Sequence, residues 1–342
     1  MLFLRFLFSS ICLLLLASCQ SSAPAPITSA PSATPPQTRQ AAAQSVTPAV
    51  VPVEPAQVTP PVQSPQNAYI SEVRRWRAER AQALTKDDGW LTVAGLYWLK
   101  LGANKAGSGP NNAVIFPRDK APESTGTFTL QNGQVSFTPA PNAGVSMAGR
   151  PVAQTIALKN DEQEAKPTPL ELGSLRFYLI KRGELLGVRI KDLASAARTS
   201  FKGLNYFDAN PSWRIETKLI PHPTPKKIPI ANVIGLVSQQ DSPGMFVFTV
   251  NGKTYTLDAL GDRNDPTLDI MYADDTNGRE TYGAGRYLDA IKVSGDTYVI
   301  DFNKSYSPPC AFTRFATCPL PPAQNRLKVT VNAGEKTYTG PH

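Results

Sequence analysis

The C-terminal third holds the residues best suited to chemistry. Asp274, Glu280 and Asp301 are carboxylates that could serve as general acid and base if two of them shared a cleft that split their pKa values. Between and after them stand Tyr282, Arg286, Asn303, Asn325 and Arg326. Guanidinium forks suit carboxylates and hydroxyl-rich ligands, and the acids would accept hydroxyl donors. Gly278, Gly283 and Gly285 permit backbone geometry closed to other residues across the run from Asp274 to Asp289. Two readings stand side by side. Glu280, Tyr282, Arg286, Asp301, Asn303, Asn325 and Arg326 could line a polar ligand pocket at strand ends, or the same groups could form a turn network of ion pairs.

The cysteines are a second centre. The chain has four, at 12, 19, 310 and 318. Cys310 and Cys318 have no zinc-like spacing and no histidine nearby. In an oxidising compartment a disulfide closing this small loop is expected, worth ~2.6 kcal/mol by loop entropy. The alternative is a reactive thiol or redox pair.

Several standard signatures fail. Ser108 lacks the glycine two residues before it that a nucleophile elbow needs. Gly283-Ala284-Gly285 has no third glycine at dinucleotide-binding spacing, and there is no P-loop. His222 lies between two prolines and His342 is the last residue, so neither makes a good catalytic base. Asp274-Asp275-Thr276-Asn277-Gly278 looks like a calcium loop, but Ala273 and Ala284 occupy the required acidic positions. No metal and no cofactor are expected.

The N-terminus says where these residues would act. Residues 1–18 carry one charge, Arg5, and then an apolar run too short to span a bilayer comfortably. They end in Leu16-Ala17-Ser18-Cys19, which resembles a bacterial lipobox and implies cleavage before Cys19 with acylation of that residue. Two or more acyl chains give stable anchoring in a lipid bilayer. Gln20 rather than aspartate follows, which implies the outer membrane, facing the periplasm. Residues 19–66 read as a tether: from residue 20 they hold 11 of the 32 prolines and no glycine or aromatic residue. Such composition cannot bury a core and favours polyproline II, up to ~145 Å fully extended.

The body, 67–342, must position the site. Of the charged residues only Arg5, Arg39 and Glu54 precede it, so its net charge is +7 against +8 for the chain. That is a modest excess; with no nucleic-acid motif, no nucleic acid is expected as a partner. A helix is expected first, capped at Asn67, with Ile70, Val73, Trp76, Ala83 and Leu84 near one face, and stopped by Asp87-Asp88-Gly89. After Trp90 the period changes to two. Strands are expected at 91–99, 113–116, 125–130, 134–137, 175–181, 185–191, 213–219, 228–237, 245–250, 253–257, 268–272, 297–302 and 327–331. Asn132-Gly133 and Asn251-Gly252 suit type I′ hairpin turns, and Lys181–Glu184 a longer one. The fold class is mainly β, an antiparallel sandwich or partly open barrel with one N-terminal amphipathic helix. There is room for two β units, with a seam near 160–169.

Several motifs carry a family resemblance. Gly89-Trp90-Leu91 through Gly95-Leu96-Tyr97-Trp98-Leu99, the block Glu280–Leu288, Asp301-Phe302-Asn303 with Asn325-Arg326-Leu327, and the proline-flanked Cys310 and Cys318 segments resemble the bacterial and archaeal domain of unknown function 1684 family, over about 70–342. Lys304, Ser307 and Arg314 depart from its common arginine, asparagine and proline. That family name carries no activity. A second resemblance concerns fold: Gly102–Pro117 is similar to the first hairpin of a forkhead-associated β-sandwich. Ser108 stands at its phosphate-binding arginine position, which argues against phosphopeptide binding. The expected function is binding or scaffolding of a small or polymeric envelope ligand. The alternatives are hydrolysis of an envelope polymer by Asp274, Glu280 or Asp301, and a purely structural role.

Overall fold

The computed structural model describes residues 64–342; the leader, Cys19 and all but the last residues of the tether lie outside them. The described residues are mainly β, with 43% strand and 14% helix, in several antiparallel sheets with a half-barrel and a helix at their N-terminal end. Helix α1 runs from Pro65 to Thr85. Its cap is Ser64, not Asn67: the serine hydroxyl accepts from Asn67 N–H at 3.3 Å, and Pro65 occupies the first turn, where its missing N–H costs nothing. Val73 and Leu84 are its buried residues.

The strands follow in chain order: β1 (Val93–Trp98), β2 (Gly102–Gly107), β3 (Val114–Ile115), β4 (Gly126–Gln131), β5 (Gln134–Pro139), β6 (Ser146–Met147), β7 (Arg150–Pro151), β8 (Ile156–Leu158), β9 (Leu170–Leu172), β10 (Leu175–Arg182) and β11 (Leu185–Asp192). Beyond the short helix α2 (Ala196–Thr199) come β12 (Arg214–Ala231), β13 (Val237–Val250), β14 (Lys253–Asp258), β15 (Thr267–Tyr272), β16 (Arg286–Ser294) and β17 (Thr297–Asp301).

The first half is a sandwich. One sheet is ordered β1-β11-β10-β9-β6-β7 and the other β3-β2-β4-β5-β8. They share one core, in which Phe116, Phe128 and Phe137 meet Phe177 at ring separations of 4.9–6.2 Å. Residues 160–169 lie within this half, where Asn160 bridges Leu179. The passage to the second core comes after Asp192 and before Arg214. Gly102–Pro117 is not a hairpin: β2 and β3 pair in parallel, Ala106 opposite Val114, because the chain loops over before returning to the same edge.

The second half is one sheet, β14-β13-β12-β17-β16-β15. Asn325 joins its two edges. Its amide donates to Asp258 O and Met271 O, both at 2.9 Å, and its Oδ1 accepts from Asp258 N–H at 2.8 Å. The sheet therefore curls, with Phe246, Leu257, Tyr272, Leu288, Tyr298 and Phe302 inside.

Three expected elements differ. The strand expected at 228–237 contains a turn instead. Asn232 Oδ1 accepts from Ile234 and Leu236 N–H, and Gly235 takes φ +83°, so β12 and β13 form one long hairpin. Residues 327–331 make no strand, since their backbone pairs only with single groups such as Ala273 O. The Lys181–Glu184 turn is tight, with Arg182 paired directly to Leu185. Among the described residues no helix is long and apolar enough to cross a membrane.

Candidate functional site

The expected polar pocket separates into distinct places. Arg286 opens β16 on its inward side and is fully buried. Its guanidinium grips the equally buried Asp274 carboxylate, donates to the carbonyls of Val331 and Ala333, and lies 5.3 Å over the Tyr272 ring. Asp274 also accepts from Thr276 N–H at 2.7 Å, while Asn277 donates to Thr281 Oγ1 and Tyr282 O. Asp274 and Arg286 are thus a turn lock, sealed from any ligand. Asn325 is the edge clamp described above, and Arg326 beside it is exposed. Glu280 is on the surface, 3.7 Å from Lys336. Tyr282 packs beside Leu84, Leu91, Phe312 and Tyr338.

Asp301 is different. Alternation along β16 sends Leu288 and Ala290 into the core and Asp289, Ile291 and Val293 outward. On β17, Val299 and Asp301 share that outer face. Helix α1 crosses beside it, and between them lies a cleft of about 200 Å³ lined by Glu72, Trp76, Arg214, Asp289, Asp301 and Lys304 with Ile291, Val293 and Val299. Asp301 Oδ1 accepts from Tyr69 OH at 2.9 Å and from the Asn303 backbone and side chain at 3.1 Å. Its Oδ2 is buried and makes no hydrogen bond; Lys304 Nζ is 3.7 Å away and is drawn to Glu72 on α1. Asn303 also donates to Tyr69 OH and Asn210 O, so it orients Asp301 rather than a ligand.

Burial pushes the Asp289 carboxyl above its ordinary range, against the Tyr306 hydroxyl that donates to it at 3.2 Å. Burial and the neighbouring Asp301 likewise push Tyr69 well up, so its phenol stays a donor. The cleft therefore joins an acceptor without a hydrogen bond, a carboxyl whose pKa burial raises, two cations and an indole. Sequence reasoning missed Asp289, Trp76, Glu72 and Arg214 as site residues. Only pairing of α1 with strands more than two hundred residues away brings them together.

The expected bridge between Cys310 and Cys318 is not formed: both are free thiols. The 3₁₀ turn Pro309–Ala311 aims Cys310 N–H at Cys318 Sγ, 3.0 Å away, so the pair meets as donor and acceptor. His222 Nε2 lies 3.1 Å from Ser242 Oγ and 3.4 Å from Asp258 Oδ1. Both partners use the same ring nitrogen, which cannot relay a proton between them, and Lys226 takes the other Asp258 oxygen. Among the described residues no group of His, Cys, Asp and Glu is arranged to hold a metal ion.

Comparison with known proteins follows the second half of the fold. No curated protein matches the chain. A solution NMR structure of an uncharacterized protein of Haloarcula marismortui is 34% identical over a region covering 41% of this chain and 80% of that one, with a TM-score of 0.35. Residues 199–336 match a family model described as "Protein of unknown function (DUF1684)". That span includes Glu280–Leu288, Asp301–Asn303, both thiols and Asn325–Leu327, whereas Gly89–Leu99 lies before it. Through residues 199–336 the chain belongs to the DUF1684 family.

Proposed function

We propose that this chain is a lipid-anchored protein of the bacterial cell envelope that binds a small hydroxyl-rich ligand, such as one sugar unit of an envelope polymer, in the cleft between α1 and β16–β17. The observation that carries the reading is Asp301 Oδ2, a buried acceptor without a hydrogen bond, set beside Lys304 and Trp76. Lys304 Nζ lies 3.7 Å away and is shared with Glu72, so a ligand hydroxyl bonded to Oδ2 would recover part of the about 1–3 kcal/mol that a buried acceptor without a hydrogen bond costs. Trp76, Ile291 and Val299 offer the apolar side that a sugar ring needs, and Lys304 and Arg214 can donate to its oxygens. The leader, the Cys19 motif with Gln20 and the proline-rich segment support placement on the periplasmic face of the outer membrane.

Saturation-transfer NMR with monosaccharides and muropeptides tests the cleft. Wild type should bind at least one, with affinity falling tenfold or more in Asp301→Asn and in Trp76→Ala, and unchanged in the surface variant Glu280→Gln. Binding unaffected by both cleft variants refutes the site. Fractionation tests the anchor, because Cys19→Ala should leave the membrane.

Hydrolysis of an envelope polymer is favoured by one observation: burial raises the pKa of Asp289, and Asp301 faces the same cleft. Asp289 would then be the general acid, and Asp289→Asn would abolish turnover while sparing binding. Asp274 and Glu280 take no part in it, since one is sealed and the other lies away from the cleft.

A further inference from the structure

We infer that Cys310 and Cys318 form a dithiol that exchanges with small disulfides, with Cys310 as the attacking sulfur, Cys318 as the resolving sulfur and Arg189 as the positioning cation. Three observations combine. The two cysteines are already in contact through Cys310 N–H and Cys318 Sγ. They differ in access: Cys310 is part-exposed and Cys318 is 4% exposed, so an incoming disulfide meets Cys310 first. Arg189 of β11 is 4% exposed, and its Nε and Nη2 make no hydrogen bond. This buried cation stacks on Trp90 at 5.3 Å, and Trp90 packs against the cluster that holds Ala311 and Phe312, the residues directly after Cys310. A buried guanidinium with two nitrogens lacking a hydrogen bond is costly unless a negative charge appears beside it, and a thiolate would be that charge.

The thiols are poised unequally. The hydrogen bond from Cys318 holds the Cys310 thiol below its ordinary value, whereas burial pushes Cys318 far up. The neighbouring phenols of Tyr282 and Tyr287 are raised by burial and by the cysteines, so they stay uncharged, and the Arg189 charge favours the Cys310 thiolate.

The exchange balances as follows. The Cys310 thiolate attacks one sulfur of RS–SR, the S–S bond breaks, and one RS⁻ leaves with its electron pair. Cys318 gives up its proton and attacks Sγ of Cys310, closing the protein disulfide and expelling the second RS⁻. The protein is oxidised by two electrons and the small disulfide is reduced to two thiols. The reverse sequence reduces the protein. The setting gives the step a structural effect. Phe312, Thr313 and Thr317 of the enclosed loop reach Leu91, Val93 O and Arg182 of the first half, so closing the ring tightens a loop that ties the two halves.

The test uses the full chain in detergent with Cys12→Ser and Cys19→Ser, so that two thiols remain. Reduced protein is mixed with oxidised glutathione and followed by intact mass and thiol titration. The expected product has lost two hydrogens and both thiols. Adding Cys318→Ser should trap a single glutathione adduct on Cys310, while adding Cys310→Ser should leave Cys318 unreacted until the chain is denatured. Arg189→Gln should slow adduct formation about tenfold and move its rate profile to higher pH, with Arg189→Lys recovering most of the rate. Two adducts without ring closure, equal reactivity of the two single thiols, or an Arg189→Gln profile superimposable on wild type would each overturn the assignment.

Discussion

Replacing Arg286 by methionine removes the centre of the turn lock and should be among the most damaging single changes in the second half. Methionine fills much of the same space, so the loss is mainly electrostatic. The variant leaves the Asp274 carboxylate, itself without exposed surface, bereft of its cation, and the carbonyls of Val331 and Ala333 lose their donors. Breaking a buried pair from one side costs about 3–5 kcal/mol, because the remaining charge stays out of water. For a body of this size that corresponds to a melting shift of about 6–15 °C. Urea unfolding followed by tryptophan fluorescence reads it as a lower midpoint with unchanged slope. Asp274→Asn should weaken the fold less, since an amide still accepts from Thr276. The double variant should cost at least ~1 kcal/mol less than the two single effects added, as contacting partners do not act independently. An Arg286→Met protein within ~1 kcal/mol of wild type, or strict additivity, would refute the claim that this arginine is a lock rather than a ligand-binding group.

Other perturbations address other parts of the molecule. Gly285 has φ +106°, and a Cβ there would lie 2.6 Å from Tyr272 O and 2.5 Å from Pro321 Cγ; Gly285→Ala should cost about 2 kcal/mol or more in a circular dichroism melt. Phe177→Ala opens the aromatic centre of the first half and should cost about 3–5 kcal/mol in urea unfolding, against little change if that core were loosely packed. Asp289 has a folded pKa raised by burial, so its contribution to stability is complete below the ordinary carboxylate range and is lost as pH rises through the folded value. Asp289→Asn should flatten the decline in urea midpoint above about pH 4 and raise stability at neutral pH. Glu335, raised for the same reason, continues to act in the wild-type direction, so an unaltered slope in the variant would assign the decline to it instead.

The parts of the fold that sequence reveals are those decided locally. Asn132-Gly133 and Asn251-Gly252 adopt positive φ at both residues, as their hairpins require, because no distant contact competes with that preference. The helix register was legible from Val73 and Leu84, but its start was not, since Ser64, Asn67 and Pro65 all give acceptable local signals. β16 was hidden because Tyr287 and Asp289 alternate with core residues directly after a glycine-rich turn, and so read as a continuation of that turn. The site failed for a related reason. Arg286, Asn325 and Asp301 all carry groups that could as well bind a ligand as hold a turn, and only tertiary placement decides that the first two hold turns and edges while the third faces a cleft. In the cysteine loop, spacing announced proximity, whereas the thiol state and the buried Arg189 required the structure.

The last residues give the molecule an order of completion. Val331 and Ala333 supply two of the acceptors for Arg286, Glu335 meets Arg80 of α1 and the Ser307 backbone, and Tyr338 covers Leu84, Leu91 and Phe312. The groups beneath α1 therefore cannot be closed until residues 331–338 are in place. A message cut short near residue 330 would yield a chain with a buried arginine lacking its carbonyls and an open apolar seam, easily recognised by proteases. Residues 331–338 thus couple one end of the body to the other, since a copy lacking them leaves both the α1 face and Arg286 without their cover.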